Sequence, residues 1–161
     1  SLAHGHMQTL LAHLPYGRLQ RKNDIVLKYR RKYKKEYFDD LFKVHEKLGL
    51  GKNYKGVKVF VNLTPSKEKE TVIIADSLNK EVIDAVFLVV EAFKNIGVQS
   101  FNMFAILEPY IKWNLPIIIR IVDRGSLSSK TTDVGALELF TQQAVISSDP
   151  YKVFKEIKKM F

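Results

Sequence analysis

Between Val57 and Val122 the hydrophobic positions change period, from strand-like runs to helical spacing and back to strands. Val57–Leu63 and Thr71–Ala75 are β-branched runs separated by the charged turn Pro65–Glu70, which predicts a hairpin with a long solvated turn. In the next stretch Val82, Val86, Val89, Val90 and Phe93 recur at spacings of three and four, with Glu81, Asp84, Glu91 and Asn95 as a narrow polar stripe. That pattern predicts a helix from about Asn79 to Ile96, capped by Ser77 or Asn79, ended by Gly97, and burying Ile83 and Phe87 with the valines. Phe101–Leu107 then reads as a buried strand and Ile117–Val122 as a strand central to the sheet.

The flanks are less regular. Leu10, Leu11 and Leu14 begin a short turn that Pro15 and Gly17 interrupt, and Ile25–Tyr29 reads as an edge strand after the turn pair Asn23-Asp24. From Lys32 to Leu48 the stripe Tyr33, Tyr37, Leu41, Val44 and Leu48 predicts a helix that Gly49 ends. Leu48–Gly56 is read as a connector, because its glycines fit neither the P-loop nor the dinucleotide spacing. Glu108–Pro116 is an aromatic loop with Tyr110 and Trp113, and Asp123–Asp133 is a serine-, threonine- and glycine-rich loop expected to face a ligand. Ala136–Phe140 is expected as the last main strand, and Asp149-Pro150 opens a C-terminal helix whose face is Val153, Phe154, Ile157 and Phe161. These elements add up to an α+β fold: a mostly antiparallel sheet with one long packing helix, an N-terminal helix and a C-terminal helix.

A length of 161 residues with 46% hydrophobic content suits one domain. The expected division is residues 1–6 as an expression scar, 7–31 as a basic N-terminal extension and 32–161 as the domain; His4 and His6 are discounted accordingly. The chain has no cysteine, which excludes thiolate metal sites and cysteine nucleophiles. With no long apolar span and no secretory leader in view, a cytoplasmic location is expected. The net charge of +9 is concentrated: of 26 basic and 17 acidic residues, nine basic and one acidic fall between Arg18 and Lys35, leaving 17 against 16 elsewhere. Such a cluster attracts polyanions, and Arg18, Arg21, Lys22, Lys28, Arg30 and Arg31 are the candidate nucleic-acid contacts. Tyr29, Tyr33, Tyr37 and Phe38 are interleaved with them, either as a stacking platform or, as helical spacing favours, as the helix's inner face. His45 has no second ligand at metal spacing and is read as a surface or packing histidine. The acid pairs Asp39/Asp40 and Glu68/Glu70 are expected to be solvated charge, and the serines Ser126, Ser128 and Ser129 near Lys130 lack an oriented base.

Three segments carry a family resemblance: Ser100–Ala105, with Asn102 entering on a strand; Trp113 through Ile117–Arg124; and Gly135–Leu139 followed by Ser148-Asp149-Pro150 and a final helix. Together they resemble the histidine-triad superfamily, and in particular the C-terminal half of galactose-1-phosphate uridylyltransferase-like nucleotidyltransferases. The resemblance covers about two-thirds of the chain. In that family a histidine attacks phosphorus from a strand of alternating histidines. Here Ile118 stands where a histidine is expected, Arg120 where a glutamate is expected and Asp123 where a proline is expected, and no histidine follows His45.

The resemblance therefore implies a non-catalytic module that binds a nucleotide, a sugar nucleotide, another phosphorylated ligand or a partner chain. Its ligand-binding residues would be Asn102, Arg120 and Arg124, with Lys112 and Lys130 from flanking loops. The structural alternative for Arg120 is an ion pair with Glu138. Two other readings stand beside this one: nucleic-acid binding through residues 18–35, and a nucleotidyltransferase whose nucleophile is unrecognised or supplied by a partner. No cofactor and no metal are expected. The family's sheets often pair, so the resemblance also allows a homodimer.

Overall fold

The structure, a computed structural model, describes residues 17–107, 115–125 and 144–161. Several expectations lie outside those residues: the scar and the turn before Gly17, Tyr110, Lys112 and Trp113, most of the loop after Asp123 with Lys130, and the strand Ala136–Phe140 with Glu138. In chain order the described elements are α1 (Gly17–Tyr33), α2 (Tyr37–Lys47), β1 (Gly51–Tyr54), β2 (Val57–Val61), β3 (Thr71–Ala75), α3 (Lys80–Asn95), β4 (Phe101–Ile106), β5 (Ile117–Asp123) and α4 (Pro150–Lys158). The five strands form one sheet in the order β1-β2-β3-β5-β4, with every neighbouring pair antiparallel. The α+β expectation holds.

Both faces of the sheet are covered, which explains why the central strands read as nearly unbroken apolar runs. Val57, Val59 and Val61 of β2, Ile73 and Ala75 of β3, and Ile117, Ile119 and Ile121 of β5 share one face and pack against α3 and α4. Phe60, Val72, Ile74 and Ile118 point the other way, into a second core with Val26 of α1 and Phe38 and Phe42 of α2. The molecule is a three-layer arrangement of helices, sheet and helices.

The centre of the chain matches its pattern closely. β3 spans Thr71–Ala75, and α3 begins after Asn79, whose side chain accepts the Val82 N–H at 3.0 Å. Gly97 follows α3 with φ +79°, the left-handed conformation that ends helices. Asp149 caps α4 by accepting the Tyr151 N–H at 2.9 Å, with Pro150 in the first turn and Val153, Phe154 and Ile157 buried.

Five local expectations are corrected. Ile25–Tyr29 is the middle of α1 rather than a strand: Val26 is buried and Leu19 packs beside it, so seven-residue helical spacing, and not the short β-capable run, sets its conformation. The helix expected from Lys32 is broken at Lys34, which takes φ +56°, and α2 starts at Tyr37. Its buried face is Phe38, Phe42 and His45, while Tyr33, Val44 and Leu48 are exposed; the apolar stripe is out of phase because Tyr33 belongs to a different helix. The glycine-bearing connector contains β1, whose Gly51 lies where a Cβ would meet the Glu46 backbone nitrogen at 3.0 Å. β4 is an outer strand of the described sheet with Phe101, Met103 and Phe104 exposed, where a buried strand was expected. On α3, Ile83 and Phe87 are 61% and 65% exposed: the buried face is Val82, Ala85, Val89, Ala92 and Phe93, and the small alanines occupy the centre of the contact with the sheet.

Candidate functional site

Arg120, midway along β5, puts a charge on an otherwise apolar run of a central strand. Residues facing each other across antiparallel strands share a face, so Arg120 lies beside Phe104 of β4 and Val72 of β3, with Asn102 opposite Val122 one step along. Arg120 and Asn102, both expected at a ligand site, are thus on the same face, the one covered by α1 and α2. Arg124 follows β5, is exposed, and donates its backbone N–H to the Ser100 carbonyl at 3.0 Å. Lys112 and Lys130 lie outside the described residues.

Arg120 is ion-paired with Glu70, which precedes β3 and is 1% exposed. Glu70 Oε1 accepts from Arg120 Nε at 2.8 Å and from Asn62 Nδ2 at 3.1 Å, and Arg120 Nη2 lies 2.6 Å from the same oxygen. Glu70 Oε2 accepts from the Ser66 N–H at 2.6 Å and the Ser66 hydroxyl at 2.9 Å, and Arg120 Nη2 also donates to Ser66 Oγ at 2.6 Å. Burial pushes the Glu70 carboxyl up, but the Ser66 N–H, the Arg120 charge and the Asn62 amide outweigh it and hold the group below its ordinary value. This corrects the reading of Glu70 as solvated charge; the Glu138 partner expected for Arg120 lies outside the described residues.

Lys22 of α1 joins the same cluster. Burial lowers the pKa of its ammonium, the nearby Arg120 charge lowers it further, and Glu70 works against both. Arg120 is thus the cation paired with Glu70, and the half-buried Lys22 adds a second positive charge near them. Beside them Arg18, Arg21, Lys22, Ile25, Val26 and Tyr37 line a groove of about 260 Å³. Lys22, one of the candidate nucleic-acid contacts, is half-buried and feels the charges of Arg120 and Glu70, while Arg18, Arg21, Lys28 and Arg31 on the same helix are exposed. Arg30 pairs with Glu36 at 2.6 Å.

The rest of β5 is largely buried. Ile117, Ile118, Ile119 and Ile121 are buried, whereas Arg120, Val122 and Asp123 are partly exposed. Ile118, where the family pattern places a histidine, is 2% exposed under Phe38 and Phe42 of the second core. His45 is buried in that core too, its Nδ1 2.8 Å from the Leu41 carbonyl and its Nε2 accepting the Leu63 N–H at 3.2 Å. Both contacts are met by the tautomer with hydrogen on Nδ1, and the ring packs 4.4 Å from that of Phe60. No cluster of three metal-ligating side chains occurs among the described residues, and no helix there is long and apolar enough to cross a membrane.

The turn before β3 is bound down on its other side. Glu68 accepts the Ser147 N–H at 2.6 Å, the Ser147 hydroxyl at 3.0 Å and the Ser148 N–H at 3.0 Å, and Lys69 pairs with Asp123 at 2.6 Å. Burial raises the Glu68 carboxyl, but the serine hydrogen bonds prevail and bring its pKa from 4.5 to about 2. A carboxyl lowered on folding contributes stability that is fully present above its unfolded value and is lost as pH falls through its folded one. Stability is therefore expected to drop by about 1–3 kcal/mol between pH 4.5 and 2 on account of Glu68, with Glu70 acting in the same direction. Urea titrations across that range check this, and Glu68→Gln should flatten the slope.

Sequence reasoning placed Asn102 and Arg120 on strands, which the structure pairs with each other, but did not anticipate the contacts of Arg120 with Glu70 and Ser66 or the nearness of Lys22. A usable signal existed for one pair: Glu70, Val72 and Ile74 share a face by period two, and Val72 is opposite Arg120, so Glu70 is an inward-facing acid diagonal to an inward-facing arginine.

No family model matches the chain, and no curated protein does. Solved structures do share the fold: a uridylyltransferase mutant aligns with a TM-score of 0.67 at 16% identity over 89% of this chain and 52% of its own. A second uridylyltransferase structure aligns with the same score and identity over 89% of this chain and 50% of its own. The chain thus spans about half the length of these structures, and its fold is that of a distant nucleotidyltransferase-like unit.

Proposed function

We propose that this chain is a non-catalytic uridylyltransferase-like module that binds a nucleotide, or another phosphorylated ligand, at Arg120 in the middle of β5. The observation that carries the reading is the contrast along one strand: Ile118 is packed into the core where a phosphorus nucleophile would be needed, while Arg120 two residues on is half-exposed beside Lys22. An arginine held rigid by Glu70 and Ser66 is preorganised, so anion contact costs it little ordering. Asn102 on the neighbouring strand supplies a neutral donor and acceptor on the same face. The uridylyltransferase fold makes uridine nucleotides the first ligands to try.

Calorimetric titration with UMP, UDP and a UDP-sugar is expected to give binding in the millimolar range or tighter, without turnover of the sugar nucleotide. Lys22→Gln should weaken it about 3- to 10-fold, the size of one charge-assisted contact. Absence of binding by all three ligands at millimolar concentration would overturn the ligand assignment. Turnover of the UDP-sugar by the purified chain would overturn the non-catalytic one.

A further inference from the structure

The exposed side of α1 extends beyond the site above, whose groove takes in only Arg18 and Arg21 of its exposed cations. Arg18, Arg21, Lys28 and Lys32 are all exposed, and at 100° per residue they fall within a sector of about 80°. The sector is opposite the face that places Leu19 and Val26 in the second core. They make a basic ribbon about 21 Å long, counting 1.5 Å for each residue from Arg18 to Lys32. The break at Lys34 sets aromatic rings at the end of this ribbon. Tyr33 is 50% exposed, its ring centroid 4.7 Å from that of Tyr29, and Tyr29 lies 5.4 Å from Tyr37. Lys32 Nζ stands 4.8 Å from the Tyr33 ring centre, and Lys34 and Lys35 are exposed just beyond. The expected inner face of a helix is therefore in part an outward-facing aromatic platform beside a line of cations.

The geometry points to a single-stranded nucleic-acid-binding surface formed by the α1 ribbon and Tyr33. A line of four cations tracks a phosphate backbone, and an exposed ring flanked by lysines accepts an unstacked base on its π face. A membrane surface fits less well, because α1 turns its apolar face into the protein and exposes only Ile25 and the terminal Tyr33 among the cations. Truncation of the N-terminal segment does not test this surface, since Val26 is part of the core.

Fluorescence anisotropy with a labelled oligouridylate and an oligothymidylate, each of twelve nucleotides, tests the surface in the whole chain. Four phosphate contacts predict a log–log salt slope of about −3, or roughly 50-fold weaker binding at 200 mM than at 50 mM salt. The variant Arg18→Gln/Arg21→Gln/Lys28→Gln/Lys32→Gln should bring the slope near zero. Tyr33→Ala should weaken binding about 5- to 100-fold while Tyr33→Phe retains it, both with an unchanged thermal transition. Binding of RNA and DNA alike supports a phosphate-and-stacking surface, and a preference for one strand type also supports it while assigning the source. No binding of either strand at 50 mM salt, binding unmoved by the fourfold variant or by Tyr33→Ala, or equal affinity for vesicles of anionic lipid would overturn the inference. UMP affinity should be unaltered in the variant Lys28→Gln/Lys32→Gln, whose residues lie outside the groove beside Arg120, which separates this surface from the Arg120 site.

Discussion

Arg120→Ala is expected to destabilise the protein by about 2–4 kcal/mol. Removing one partner of a buried ion pair costs about 3–5 kcal/mol because a charge is stranded away from water. The Arg120 side chain is 35% exposed, so some water reaches the gap and the lower range applies. Glu70 would keep its bonds to Ser66 and Asn62 but lose the cation that balances it. The double variant Glu70→Gln/Arg120→Gln removes both charges at nearly constant volume and should recover most of the loss. Urea denaturation of the two variants against the parent decides the matter: an Arg120→Ala variant within 0.5 kcal/mol of the parent would contradict the stranded-charge account. Ligand measurements on this residue are cleaner in Arg120→Lys, which keeps a cation beside Glu70.

Phe60→Ala should cost about 3–5 kcal/mol, the range for a deleted core aromatic, and lower the melting temperature by roughly 6–20 °C. Phe60 is 1% exposed, and it is where β2 meets α2: its ring lies against those of His45 and Phe42. Truncation would leave a cavity under a helix that is also tied to β2 by the Asp39–Lys58 ion pair and to the residues after β2 by the His45 bond to Leu63. Phe87→Ala removes a side chain of the same size and should change stability by no more than about 0.5 kcal/mol, because that ring projects from α3 into water. Thermal scans of the two variants side by side separate packing from composition. Equal losses would mean that the outer face of α3 is not free.

The legible parts of this chain were those where one local rule sufficed. β3 and α3 were marked by β-branching, helical spacing, an asparagine cap and a stop glycine, and β5 by a run of isoleucines. α1 was not, because Ile25–Tyr29 has strand propensity and only its contact with the second core decides for helix. Ile83 and Phe87 were assigned to the interior because an apolar count cannot say where an α3 face ends; Ala85 and Ala92 mark its centre by being small. β4 was taken as buried from its phenylalanines, although its position at the outside of the described sheet follows from pairing order, which no local pattern carries. The site divides in the same way. Asn102 and Arg120 were found through a resemblance to strands, whereas the roles of Lys22, Ser66 and Glu70 come from three elements that meet only on folding.

The Pro65–Glu70 turn also bears on how the chain folds in time. It reaches Arg120 and Asp123 across 50 and 54 residues of sequence, and Ser147 across 79. Closing loops of that length carries an entropic penalty that rises with the logarithm of their size, so nearest-neighbour pieces such as the β2–β3 hairpin are favoured to assemble ahead of these contacts. Weakening the serine anchor should then quicken unfolding more than it slows folding, and the order in which the molecule comes apart would begin where its most distant segments are tied together.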